Sequence, residues 1–162
     1  MLNLSRNQIS DISPLMALVN LQELWIYSNQ ISDLHPLSSL VNLKLLWLEY
    51  SQVSDIGSLS GLINLKELAL SVNQIGDVSL LRSLVNLEIL FLRSNQVSDI
   101  SPMGGLVNLR WLDLNNNQVS DIGPLGGLAN LEMLHLRDNP LDNESLSIHI
   151  PALQQRGVDV RF

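Results

Sequence analysis

One pattern of apolar and polar positions recurs every 22 residues along most of the chain. Leucine or isoleucine returns in pairs two residues apart: Leu2 and Leu4, Leu24 and Ile26, Leu46 and Leu48, Leu68 and Leu70, Leu90 and Leu92, Leu112 and Leu114, Leu134 and Leu136. Alternation of this kind puts the apolar side chains of a short β-strand on one face. Three residues after each pair a polar column reads Asn7, Asn29, Ser51, Asn73, Asn95, Asn117 and Asn139. Between pairs the apolar columns are Ile12, Leu34, Ile56, Val78, Ile100, Ile122, then Leu15, Leu37, Leu59, Leu81, Met103, Leu125, then Leu18, Leu40, Leu62, Leu84, Leu106, Leu128. Their spacing of three favours tight turns or 3₁₀ pieces over full α-helices. The prolines Pro14, Pro36, Pro102 and Pro124 and the pairs Gly104-Gly105 and Gly126-Gly127 suit such narrow segments. The pattern predicts coils that stack with their strands about 4.8 Å apart in one parallel sheet. No coil can bury its apolar face alone, so the fold is stable only as a stack.

The columns together spell L-x-x-L-x-L-x-x-N-x-L, legible in Leu21, Leu24, Ile26, Asn29 and Ile31, the leucine-rich-repeat signature. With the recurring stretch Asn29-Gln30-Ile31-Ser32-Asp33-Leu34-His35-Pro36-Leu37, the sequence resembles the 22-residue repeats of bacterial internalins and of a eukaryotic regulatory subunit of type-one protein phosphatase. The resemblance covers nearly the whole chain and implies an α/β fold. That fold is a right-handed leucine-rich-repeat solenoid with a parallel sheet on its concave face, 3₁₀ turns on its convex face and a C-terminal helical cap. It also implies recognition of another protein. Internalin-like scaffolds serve at cell surfaces and the phosphatase-regulator class inside cells, so the resemblance assigns no compartment.

The division that follows is a repeat array over residues 1–133, without an N-terminal cap, and a last strand with C-terminal cap over 134–162. After Asn139-Pro140-Leu141, Asp142 and Asn143 can cap a short helix whose Leu146, Ile150 and Leu153 share a face, with Gly157 to end it. Pro151 inside this pattern predicts a kink or two short helices, and Val158-Asp159-Val160 alternates like an edge strand. At the other end, Met1 falls inside a motif, where the internalin class usually carries a helical cap. The expectation is a fragment of something longer, whose first coil could self-associate.

Composition narrows the function. Leucine fills 36 of the 162 positions, yet the longest apolar run is the five residues Leu15 to Val19, far below the ~20 of a membrane span. Nine Lys and Arg against sixteen Asp and Glu leave a formal charge of −7, the wrong sign for nucleic acid. Without cysteine there is no disulfide, thiolate site or cysteine nucleophile. Met1-Leu2-Asn3-Leu4-Ser5-Arg6 is not a signal peptide, and nothing in the sequence calls for a cofactor.

If the leucine columns point inward, the residues between them face the concave surface, where packing does not dictate identity. Counting the first motif leucine as one, positions three, five, seven and eight read Glu23, Trp25, Tyr27, Ser28; then Leu45, Trp47, Glu49, Tyr50; then Glu67, Ala69, Ser71, Val72; then Ile89, Phe91, Arg93, Ser94; then Trp111, Asp113, Asn115, Asn116; then Met133, His135, Arg137, Asp138. Six of the seven aromatics of the chain fall in these columns, with only Phe162 elsewhere. An aliphatic core has no need of these rings, and Trp, Tyr and Arg are the residue types that carry binding energy at protein interfaces. Aromatic residues also suit strands and lean on cross-strand neighbours, but strand packing alone would not keep them off the convex side. Two clusters are expected: Trp25, Tyr27, Leu45, Trp47 and Tyr50, then Ile89, Phe91, Trp111 and Met133. Ala69 and Ser71 form a shallow notch between them, and Arg93, Asp113, Asn115, His135 and Arg137 form a polar rim. With Glu49 these residues make up the candidate partner-binding surface.

Other chemistry is thinner. Asp113 and His135 share a column in adjacent units, but no serine completes a triad: Ser94 is in the wrong register and Ser71 lies two strands away. His35 replaces a convex serine, and His149 belongs to the cap. The Asp column, Asp11, Asp33, Asp55, Asp77, Asp99 and Asp121, could attract divalent cations. Ser-Asp entering a turn better suits a carboxylate that accepts backbone N–H bonds, so no metal site is assigned. The Asn20, Asn42, Asn64, Asn86, Asn108 and Asn130 column reads as turn chemistry before each strand, and in the resembling family the motif asparagines form a ladder from which Ser51 departs. The reading is a non-catalytic module that binds a protein partner through its aromatic concave face. The alternative is a structural unit that meets a second copy, as a homodimer, through that face or the first coil.

Overall fold

The leucine pairs are brought into register by strand pairing, and the rest of the architecture follows from that stacking. The computed structural model describes residues 1–162. Its strands are β1 (Leu2–Asn3), β2 (Glu23–Trp25), β3 (Leu45–Trp47), β4 (Glu67–Ala69), β5 (Ile89–Phe91), β6 (Trp111–Asp113), β7 (Met133–His135) and β8 (Asp159–Arg161). They form one parallel sheet in the order β1 to β8, each pairing with the next. Leu2, Leu24, Leu46, Leu68, Leu90, Leu112, Leu134 and Val160 lie side by side across it. On the return path lie short 3₁₀ segments, Ser13–Ala17, His35–Leu37, Gly57–Leu59, Ser79–Ser83, Ser101–Gly105 and Gly123–Gly127. Between sheet and turns one continuous core of 43 buried residues runs the length of the molecule, almost wholly aliphatic.

The asparagine columns tie the coils together. The Asn29 side-chain amide donates to Leu4 O and Ile26 O, and its Oδ1 accepts the Ile9 N–H at 3.0 Å, so one side chain satisfies backbone groups in two coils. Asn73, Asn95, Asn117 and Asn139 repeat the arrangement. Ser51 does not: its hydroxyl is buried without a partner, and the buried Ile31 N–H lacks the acceptor that its counterparts have. The Asn42 column departs from the expectation of local turn chemistry. Asn42, Asn64, Asn86, Asn108 and Asn130 donate to Val19 O, Val41 O, Ile63 O, Val85 O and Val107 O of the preceding coil, a second inter-coil ladder. The aspartate column is local, as expected. From Asp11 to Asp121 each Oδ1 accepts the N–H two residues on, which opens the 3₁₀ turn. The Ser13 hydroxyl and N–H hold Asp11 below the usual carboxylate range, and the N–H and hydroxyl of Ser79 and of Ser101 do the same for Asp77 and Asp99.

At the C-terminal end Asp142 Oδ1 accepts the Ser145 N–H, a five-residue π-helical turn spans Ser145–His149, and α1 (Ile150–Gln155) continues from it. The proline therefore sits at the junction of two helical pieces, and Ile150 and Leu153 are buried. Leu146 corrects the expected face: it is 42% exposed, because the wider π turn rotates it outward and buries Ser145 instead. The Ser145 hydroxyl then donates to Ser120 O and accepts the Ile122 N–H, extending the coil-to-coil bonding into the cap.

The Ser51 gap generates a test. Ser51→Asn restores one acceptor and two donors at a buried site, which is worth about 1–2 kcal/mol. A thermal melt followed by circular dichroism should rise by about 2–6 °C. An unchanged or lower midpoint contradicts the ladder account.

Candidate protein-binding surface

Because the leucine at the centre of each strand is buried, its two strand neighbours face the other way. The structure thus places Trp25, Leu45, Trp47, Ile89, Phe91, Trp111, Asp113, Met133 and His135 on the concave face of the sheet, each partly exposed. Two residues beyond, Tyr27, Glu49, Arg93, Asn115 and Arg137 extend that face past the ends of the strands. The next position bends sharply. Arg6, Ser28, Tyr50, Val72, Ser94, Asn116 and Asp138 all have φ between 53° and 59°. The left-handed conformation costs a non-glycine residue about 1–2 kcal/mol, repaid here by N–H bonds to the next coil, such as Tyr50 N–H to Ser71 O and Val72 N–H to Arg93 O. This corner turns Tyr50 out into solvent, 58% exposed. Nothing in the residue types of the column, which contains no glycine, marks it in the sequence.

Of the two expected aromatic clusters, Tyr27, Trp47 and Tyr50 of the first and Phe91 and Trp111 of the second line two hollows that meet at Glu49 and Tyr50, while Trp25, Leu45, Ile89 and Met133 line neither. A hollow of about 360 Å³ is lined by Arg6, Tyr27, Ser28, Trp47, Glu49 and Tyr50. A second of about 300 Å³ runs from Glu49 and Tyr50 over Ser71 and Val72 to Phe91, Arg93, Trp111 and Asp113. The expected notch is only half there. Ala69 is 1% exposed, so the small side chain leaves no opening between its neighbours Trp47 and Phe91, while Ser71 floors the second hollow. Phe91 and Trp111 pack edge to face with centroids 4.8 Å apart, and the Trp111 ring meets His135 in the same way at 6.2 Å. The rings thus lean on one another across strands while keeping an exposed edge. Arg6, in the incomplete first coil and outside the expected surface, lies with its guanidinium 5.8 Å from the Tyr27 ring centre.

Past Trp111 the face turns polar as expected. Arg93, Asp113, Asn115, His135, Arg137 and Arg161 line a third hollow of about 270 Å³. Arg161 likewise falls outside the expected surface, although it lies beside His135 in the register of β7 and β8 and the alternation Val158-Asp159-Val160 continues to it. Asp113 and His135 do come together, with His135 Nδ1 3.8 Å from Asp113 Oδ2, longer than a hydrogen bond. Asp113 Oδ1 accepts the Asn115 N–H, the Ser94 hydroxyl accepts from the Asn116 side-chain amide, and the hollow around His135 is lined by no hydroxyl residue. His135 Nε2 and Trp111 Nε1 are buried without partners.

Leucine-rich-repeat models match residues 1–39, 19–62, 63–104 and 107–148, and the chain belongs to the leucine-rich-repeat family. Among solved structures it is similar to an internalin of Listeria monocytogenes, with 32% identity and a TM-score of 0.90 over 96% of this chain and 45% of that one. It is similar also to a leucine-rich-repeat protein of Leptospira interrogans, with 30% identity and a TM-score of 0.92 over 99% of this chain and 42% of that one. Internalin C2 of Listeria monocytogenes matches at 28% identity and a TM-score of 0.69, over 99% of this chain and 77% of that one. The chain spans less than half the length of the first two structures. No curated protein matches it in sequence. Its fold is that of internalin-like proteins, and leucine-rich-repeat proteins are in general non-catalytic scaffolds for protein–protein contact.

Glu49, set between the two aromatic hollows, generates a prediction. Burial pushes its carboxyl above the usual range against a hydrogen bond from Ser71, and Asp113 adds to the rise. A raised acid favours the folded state below its unfolded pKa, and that contribution is lost as pH climbs through the folded value. Glu49→Gln should therefore melt higher than the native chain at pH 7, with the gap closing at about pH 4. A gap that is the same at both pH values contradicts the burial of a charged Glu49.

Proposed function

We propose that the chain is a non-catalytic recognition module that binds a protein partner across the concave face, through Trp25, Tyr27, Leu45, Trp47, Glu49, Tyr50, Ile89, Phe91, Arg93, Trp111, Asp113, Met133, His135 and Arg137. The observation that carries this reading is the segregation of aromatics. The buried core is free of them, while six rings lie along one face and five of them, Tyr27, Trp47, Tyr50, Phe91 and Trp111, line two adjoining hollows. Large rings with exposed edges, framed by charged groups, are the composition of an interface centre with its rim. A strand surface that only needed filling would be served by the threonine and valine that suit strands. The general role of internalin-like repeats in protein contacts supports the same assignment. The catalytic reading has no support from the Asp113 and His135 pair, whose surroundings offer no nucleophile.

The test is capture of a partner from extracts of the source organism on the native chain and on two variants. One carries Trp25→Ala, Trp47→Ala and Phe91→Ala, and the other carries His35→Ala and Arg82→Ala, at exposed positions of the convex 3₁₀ segments. With circular dichroism unchanged, the concave variant should lose the partner by at least about a hundredfold in Kd while the convex variant keeps it. Retention by the concave variant overturns the proposal.

A further inference from the structure

The arginines of the concave face gather toward one end. Glu23, Glu49 and Glu67, with Arg6, lie in the coils of β1 to β4, whereas Arg93, Arg137 and Arg161, with His135, gather around the 270 Å³ hollow at β5 to β8, where Asp113 and Asp159 also stand. This concentrates three of the chain's seven arginines in one place on a molecule of net charge −7. Of the six cations elsewhere, Arg6 lies by the Tyr27 ring, three are engaged by polar partners, and Lys44 and Arg82 stand singly. Lys66 pairs with Glu88, Arg110 with Glu132, and Arg156 donates to Gly126 O and Leu128 O. At the hollow Arg161 is held by Asp159, but the Arg93 and Arg137 guanidiniums have no hydrogen-bonded or ion-paired partner and are exposed. They occupy the same motif position on coils two apart, a separation of about 10 Å. Asn115 stands between them, its Oδ1 committed to the Arg137 N–H and its amide N–H groups uncommitted. The one carboxylate that reaches the hollow, Asp113, is turned to the Asn115 N–H. Asp138 lies at the bend beyond Arg137 and is not among the lining residues.

What remains is a row of free donors, Arg93, Asn115 and Arg137, that ends against the Phe91 and Trp111 pair. Resting on the concave-face reading above, we infer that this end of the surface receives an acidic segment of the protein partner, with Asp or Glu carboxylates on Arg93 and Arg137 and a neighbouring apolar side chain against Phe91 and Trp111. Two guanidiniums at this separation match carboxylates on successive same-face residues of an extended segment, about 7 Å apart, with arginine reach taking up the difference. Charge complementarity selects the acid, because planar guanidinium forks bind carboxylates through paired N–H bonds. A long polyanion is disfavoured, since its remaining charge would face an acidic molecule. The carboxylates Glu23 and Glu67, in the coils of β2 and β4, disfavour an acidic segment at that end of the face.

The test titrates the full chain, labelled with nitrogen-15, with the end-blocked pentapeptide Phe-Ser-Glu-Ser-Glu, whose Phe and two acids share one face when extended, and its Phe-Ser-Gln-Ser-Gln counterpart. The acidic peptide should shift the Arg93 and Arg137 side-chain N–H signals and the Trp111 indole signal saturably, and about tenfold more strongly in affinity than the neutral one. Arg93→Ala with Arg137→Ala should abolish the shifts, and raising salt from about 0.05 M to about 0.3 M should weaken them several-fold. Equal shifts with the neutral peptide, or no shift up to about 5 mM, overturn the inference. Shifts at these arginines with a sulfated octasaccharide, and none with the acidic peptide, overturn it in favour of a polyanion. In the capture experiment, a double arginine variant that keeps the partner when the aromatic variant loses it sinks the acidic assignment alone. If both keep it, the concave-face reading falls as well.

Discussion

Everything in this molecule depends on the stacking of one coil on the next. A single coil offers a strand of three residues and a short 3₁₀ turn, neither stable alone, and an apolar face it cannot cover by itself. Stacking closes that face, and the two asparagine ladders carry backbone bonding from coil to coil where strand pairing stops. The core is therefore a column of identical aliphatic contacts rather than an interlocking set of different ones. That is why the same residue types recur at fixed intervals, and why the intervening positions are released from packing and free to differ.

The proposed function uses that freedom. The bend after each strand holds seven non-glycine residues in the left-handed region, at a local cost that the coil-to-coil N–H bonds offset. The bend lifts Tyr50 clear of the sheet and lets Glu49 border both aromatic hollows. A rigid sheet below and a row of rings above give a surface whose shape is set before any partner arrives, which limits the ordering cost of binding. The unpaired arginines Arg93 and Arg137 lie toward one end of the same axis. On the proposed reading, hydrophobic contact and orientation are supplied by different residues of one face.

The sequence was legible where the repeat dictated chemistry. The strands, the turns, the inward columns from the second coil on and the concave positions follow from period and alternation, and the edge strand forms one residue on from Val158-Asp159-Val160, at Asp159–Arg161. It was less legible where two coils combine to make one feature. The Asn42 column read as a local turn because its acceptor lies in the preceding coil, a relation that alternation does not express. Ala69 read as a notch because side-chain size alone suggested an opening that its neighbours close. Leu146 read as a core residue on an α-helical count that the π turn does not follow. Arg6 and Arg161 fall outside the expected surface because they lie in the terminal coils, outside the complete motif units.

The central claim is that the aromatic concave face is held open for a partner other than a second copy of this chain. The most direct measurement is molar mass by light scattering behind a sizing column, across a concentration series, for the native chain and the Trp25→Ala, Trp47→Ala, Phe91→Ala variant. The account predicts 18.0 kDa for the native chain at every concentration. A native dimer that the variant abolishes would show the face to be spent on self-association and would contradict it.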